Sequence, residues 1–158
     1  MVNILFVCTG NICRSPLAEG ILRNKLKTSG IPAYLDSCGF ESFHTGDPPD
    51  RRAQAVASRY GTDISAHRAR LFSVVDFDIF DEIYVMDSGH HRQVMKLARN
   101  EADQAKVSYM LEVLFPGKNK GVLDPWYHDE EAFEQVYLQL SEACDLITRR
   151  LVSENKQR

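Results

Sequence analysis

Val2-Asn3-Ile4-Leu5-Phe6-Val7 is an apolar run with one polar residue, and it ends abruptly at Cys8-Thr9-Gly10-Asn11-Ile12-Cys13-Arg14-Ser15-Pro16. A run this continuous does not alternate, so it does not suit a sheet with one face in water. It reads as a central parallel strand covered on both sides. Parallel strands need crossover connections, and the next residues supply one. Ala18, Ile21, Leu22 and Leu26 recur at helical spacing until Ser29-Gly30-Ile31-Pro32 stops the pattern. With Tyr34 to Cys38 as a second strand, the segment is a right-handed strand–helix–strand unit. Ligands of open α/β sheets sit beyond the carboxyl ends of strands, which is where Cys8 falls.

Five residues separate Cys8 from Arg14. A loop of that length can curl so that successive backbone N–H groups point inward around an anion, and the helix start adds partial positive charge. Gly10 permits a backbone angle that side chains resist, and Asn11 tolerates the left-handed region. Ser15 suits a helix N-cap and Pro16 a first helical position. Alternatively, the Ser15 hydroxyl turns inward and donates to the Cys8 sulfur. Arg14 offers a planar fork matched to two phosphate oxygens. Such surroundings favour a thiolate, lowering a cysteine pKa from ~8.5 to roughly 3.5–7.5. A strand-end cysteine by itself reads as core, and a helix-start arginine as a solvated charge. Together, at this spacing and between strand and helix, they point to attack of sulfur on a bound phosphate.

The rest of the chain fits one α/β domain over residues 1–158. Asp50 to Tyr60 and Ser88 to about Arg99 read as helices, and Phe72 to Phe80 as one or two helical turns. Glu82 to Met86 and Val107 to Met110 read as strands, and Ser153 to Arg158 as a fraying tail. Phe133, Val136, Tyr137, Leu140, Cys144, Ile147 and Leu151 mark a long amphipathic helix, with Cys144 on its apolar face. Cys38 likewise reads as core. The four cysteines show no paired zinc spacing, and the chain begins with no signal-peptide pattern, so the thiols are expected to be reduced in a cytoplasm. A net charge of −3 argues against nucleic acid as a partner, and no apolar run is long enough for membrane insertion.

A thiol attacking a phosphate ester needs a proton for the leaving oxygen, and no His or Lys lies within the Cys8 loop. Asp124 is the candidate: Pro125 stiffens the chain beside it, and Trp126 and Tyr127 are placed to shield it from water and raise its pKa. An Asp-Pro pair is also a common turn and cap. Asp47, in Gly46-Asp47-Pro48-Pro49, is the rival acid. Phe43 and His44 stand in a loop with no periodicity to bury them, as packed loop residues or as a wall for a flat substrate group. His67 reads as structural, a job that includes holding the loop.

With these motifs in place, the chain resembles the low-molecular-weight protein tyrosine phosphatases over most of its length. The resemblance is carried by Cys8 to Pro16, Ala66-His67-Arg68-Ala69-Arg70, Met86-Asp87-Ser88 and Asp124-Pro125-Trp126-Tyr127. It implies a three-layer α/β/α sandwich with a four-stranded parallel sheet and the phosphate-binding loop between first strand and first helix. It implies Cys8 as nucleophile through a phosphocysteine, Arg14 as phosphate ligand, and Asp124 as general acid and then base. Thr9, Gly10, Asn11, Ile12, Cys13 and Ser15 then bind phosphate. Asn11, Ser15, His67 and Asp87 form a hydrogen-bond set that supports the loop. Cys13 becomes a redox partner for Cys8 by disulfide formation. Phe43, His44, Trp126 and Tyr127 become the substrate rim, with Phe at 43 and Trp at 126 departing from many members. The resemblance implies no metal and no cofactor, phosphotyrosine-containing proteins as substrates, inhibition by phosphate-like oxyanions, and a monomer.

Three alternatives stay open on the sequence. A thioredoxin-coupled arsenate reductase shares the loop, but its relay cysteines have no counterpart between Cys38 and Cys144. A protein arginine phosphatase tends to carry Thr where Ile12 stands. A phosphopeptide-binding module without chemistry would be expected to lack Cys8, Arg14 or Asp124, and all are present.

Overall fold

In β1 (Val2–Val7) side chains alternate between two cores rather than between core and water. Ile4 and Phe6 enter a cluster with Leu17, Leu22, Val136 and Leu140, while Leu5 and Val7 enter another with Phe77, Phe80 and Val94. That is the packing consequence of a strand with no polar face. In the computed structural model, which describes Met1–Arg158, β1 is central in a fully parallel sheet. It pairs with β2 (Ala33–Cys38) on one side and β3 (Glu82–Val85) on the other, and β3 pairs with β4 (Val107–Tyr109). The strand order is β2-β1-β3-β4.

Helices cover both faces. One layer holds α1 (Arg14–Thr28) and α6 (Glu130–Lys156), with α2 (Arg51–Arg59) packed on α6. The other holds α3 (Asp76–Ile79), α4 (Ser88–Leu97) and the short α5 (Glu101–Ala105). The fold is therefore the α/β/α sandwich with a four-stranded parallel sheet. Its chain reverses direction across the sheet between β1 and β3, which opens a crevice at their carboxyl ends. No helix is long and apolar enough to cross a membrane.

Three local expectations are corrected, and one further element appears. Ser15 does not cap α1: Cys13 occupies the N-cap position without a side-chain cap bond, and Ser15 and Pro16 lie one and two residues inside the helix. The left-handed residue of the loop is Asn11, with φ 58°, and Gly10 does not have a positive φ. Ser153 to Lys156 continue α6 in place of a frayed tail. Asn100 caps the unexpected α5 by accepting from the Asp103 N–H.

Candidate active site

Asn11 shapes the loop after β1. Its side chain is fully buried, and it must satisfy both ends of its amide there. The Nδ2 group donates to Ser15 Oγ and Ser37 Oγ, each at 2.9 Å. The Oδ1 oxygen accepts from the Arg70 backbone N–H at 3.0 Å and from His67 Nε2 at 3.0 Å. Burial lowers the His67 pKa, against the pull of Glu19. These bonds hold Asn11 in a left-handed turn, a conformation that costs Asn less than most residues. A Cβ at Gly10 would lie 2.9 Å from His44 Cδ2, so the His44 ring would have to shift to admit one.

Cys8 sits at the floor, 2 % exposed, with Sγ 2.9 Å from Ser15 Oγ. Asn11 Nδ2 already donates to that hydroxyl, so the Ser15 proton turns to an acceptor, and the sulfur at 2.9 Å is nearer than the Cys38 carbonyl at 3.5 Å. All four cysteines are free thiols. Cys13 also lines the cavity, where burial and then Asp50 push its thiol pKa well up.

Arg14 is 2 % exposed, so its charge must be answered by the protein. Nη1 donates to Asp87 Oδ2 at 3.1 Å and to the Val122 carbonyl at 3.0 Å, and Nη2 donates to Thr9 Oγ1 at 3.2 Å. A guanidinium has five N–H donors. With Nη1 used twice and Nη2 once, the Nε–H and one Nη2–H remain for an oxyanion in the cavity. Asp87 follows β3 and caps α4, its Oδ1 accepting from the Gly89 and His90 N–H groups. Burial opposes its ionisation, but His90 and Arg14 together hold its pKa below the ordinary range.

Asp124 comes from the far side of the crevice. It caps a 3-10 turn, Pro125–Tyr127, by accepting from the Trp126 N–H at 3.1 Å, and its Oδ2 lies 3.6 Å from Arg14 Nη2. The aromatic shield is incomplete, because the Asp124 side chain is 42 % exposed. Asp47 lies outside the lining and pairs with His44 Nδ1 at 3.0 Å.

A cavity of about 160 Å³ is lined by Cys8, Thr9, Gly10, Ile12, Cys13, Arg14, Phe43, His44, Asp124, Trp126 and Tyr127, and also by Glu41. Asn11, Ser15, His67 and Asp87 stand behind this lining. At the mouth, Phe43 packs on His44 with ring centroids 4.1 Å apart, and the Trp126 ring meets His44 edge-on at 6.0 Å. Phe43 and Tyr127 are 73 % and 86 % exposed.

Sequence reasoning did not reach three further participants. Glu41 completes the wall. Arg52 holds the Asp124 turn by donating to the Trp126 and His128 carbonyls at 3.1 and 3.2 Å, and it is itself fixed by Asp50. His90 is buried behind Thr9, with Nε2 2.8 Å from Thr9 Oγ1. Glu19, Asp36 and His67 form a grouping of metal-ligand type with atoms within 4.8 Å. Those atoms are already engaged: Glu19 by Ser37 and Arg23, Asp36 by Arg70, and His67 by Asn11.

The family profile described as low molecular weight phosphotyrosine protein phosphatase matches residues 3–157. A Schizosaccharomyces pombe protein of that name is 39 % identical over 142 residues, covering 88 % of this chain and 90 % of its own. Among solved structures, a protein tyrosine phosphatase from Entamoeba histolytica with Hepes in its active site superposes with a TM-score of 0.90. It is 30 % identical, with 99 % of both chains covered. Vibrio vulnificus Wzb in complex with benzylphosphonate superposes with a TM-score of 0.83 at 28 % identity, covering 94 % of this chain and 98 % of its own.

Proposed function

The chain belongs to the low-molecular-weight phosphotyrosine protein phosphatase family, and from that premise we propose that it hydrolyses phosphotyrosine by double displacement through Cys8. The observation that carries this reading is the meeting of three groups in one cavity. They are the Cys8 sulfur with its Ser15 donor, Arg14 with two uncommitted N–H groups, and the Asp124 carboxyl.

In the first step Cys8 attacks phosphorus as the thiolate, forming the S–P bond, and the ester oxygen departs with its electron pair. Asp124 gives that oxygen a proton, so the leaving group is a phenol rather than a phenolate. Arg14 and the loop N–H groups take up the charge on the equatorial oxygens. In the second step the Asp124 carboxylate takes a proton from water, the water oxygen attacks phosphorus, and the sulfur leaves. Inorganic phosphate is released and both groups return to their starting states.

Thr9, Gly10, Ile12 and Cys13 shape the phosphate cup, and Phe43, His44, Trp126 and Tyr127 flank the ring. The substrates are phosphotyrosine-containing proteins, a reading supported by the name of the S. pombe relative and by the benzylphosphonate bound to the Vibrio protein. Phosphate-like oxyanions compete for the same cup. Cys13, beside Cys8 in the lining, serves as its partner in a protective disulfide. Residues 1–158 act as one domain, as a cytoplasmic monomer without metal or nucleic acid.

Turnover of p-nitrophenyl phosphate by wild type and Cys8→Ser tests the reading. Loss of turnover in the variant is expected, and retained turnover would overturn it.

A further inference from the structure

Arg14, Asp87, His90 and Thr9 form a closed ring of polar contacts behind the cavity. Arg14 Nη1 reaches Asp87 Oδ2 at 3.1 Å. Asp87 Oδ1 lies 3.3 Å from His90 Nδ1, close but outside hydrogen-bond alignment. His90 Nε2 lies 2.8 Å from Thr9 Oγ1, which accepts from Arg14 Nη2 at 3.2 Å. His90 is 3 % exposed and touches no substrate space, so nothing in the mechanism above requires it.

We propose that His90 is a positioning residue for Arg14, acting through the Thr9 hydroxyl. A bare Nδ1 lone pair would face a carboxylate oxygen, so Asp87 fixes the tautomer with the proton on Nδ1. Nε2 is then an acceptor, and the one Thr9 proton goes to it. With its proton turned toward His90, the Thr9 oxygen presents a lone pair to Arg14 Nη2. That bond sets the rotation of the guanidinium plane and directs its two remaining N–H groups at the oxyanion. Burial keeps the imidazole neutral, with a pKa lowered to about 4, so no second cation competes with Arg14.

The inference rests on the reading of Arg14 as the phosphate ligand, and the two can fail separately. If Arg14→Lys kept full turnover, the ligand reading would be wrong whatever His90 does. For His90 the probes are p-nitrophenyl phosphate turnover and inhibition by orthovanadate. Replacing His90 with Leu should lower kcat/KM and weaken vanadate inhibition by roughly fivefold to tenfold, the scale of one hydrogen bond. His90→Gln, whose carbonyl can accept the Thr9 proton, should stay within about twofold of wild type. In a Thr9→Val background the change at His90 should add nothing. Equal losses in Leu and Gln variants, or additive losses with Thr9→Val, would assign the effect to packing and overturn the proposal. If the Leu variant does not fold, imidazole nitrogen NMR of the wild-type enzyme decides. A protonated Nδ1 and bare Nε2 on His90 are expected, and a proton on Nε2 would overturn the proposal.

Discussion

Ser15 Oγ lies 2.9 Å from Cys8 Sγ, inside the first turn of α1, with a lone pair already taken by Asn11 Nδ2. The hydroxyl therefore serves the sulfur and leaves the helix end uncapped. A donor to sulfur favours its negative form both when it attacks and when it leaves the phosphoenzyme. Ser15→Ala should lower kcat by about tenfold, the scale of a charge-assisted hydrogen bond. Steady-state kinetics with p-nitrophenyl phosphate checks it, and an unchanged kcat would remove Ser15 from the mechanism.

Asp124 should matter in proportion to how badly the leaving oxygen needs a proton. Asp124→Ala is expected to slow phenyl phosphate by about 10²- to 10³-fold and p-nitrophenyl phosphate much less. A series of aryl phosphates of graded leaving-group pKa reads this as a steeper slope. A uniform loss across the series would contradict the acid role.

Arg52 ties α2 to the turn that carries Asp124 through the Trp126 and His128 carbonyls. Its guanidinium also lies over the Phe133 ring at 4.5 Å, so the turn is braced against α6. Arg52→Met should give a weaker copy of the Asp124 pattern, about threefold to tenfold and largest for poor leaving groups. A loss of equal size on good and poor leaving groups would mean that Arg52 acts on something other than the acid.

His90 also makes stability depend on pH. Its pKa is about 4 in the fold and the ordinary value is 6.5. The unfolded chain therefore binds the proton more readily, and stability falls as pH drops from 6.5 toward 4. The contribution is on the order of 3 kcal/mol at the bottom of that window. Asp87, whose pKa is lowered from 3.8, adds a loss only at lower pH. Urea denaturation at pH 7 and pH 4.5 should show His90→Gln losing less stability than wild type over that interval. Parallel losses would contradict it.

The fold and the floor of the site were legible because their signals are local. The β1 run carries its double burial in six consecutive residues, and the Cys8-to-Arg14 spacing carries the loop. What escaped depends on distant partners. His90 looks like a solvated residue in the first turn of α4, and only Thr9, 81 positions away, makes it a buried acceptor. Arg52 sits beside Arg51 at a helix start, and nothing near it announces carbonyls 74 and 76 residues on. Ser15 has two local readings, a cap before a proline and an inward donor to Cys8, and only the second is realised. The hydroxyl accepts from one Asn11 Nδ2 proton and faces the buried sulfur, two partners that a cap position would leave unmet in a dry site.

Double displacement requires a covalent phosphorus–sulfur bond at Cys8. Rapid acid quench of the enzyme during turnover of radiolabelled aryl phosphate, followed by peptide mapping, tests it most directly. The label should appear on the peptide containing Cys8, with the lability of a thiophosphate, and should vanish in Cys8→Ser. Label on any other residue, or burst-free turnover with no labelled protein in wild type and full activity in Cys8→Ser, would contradict it.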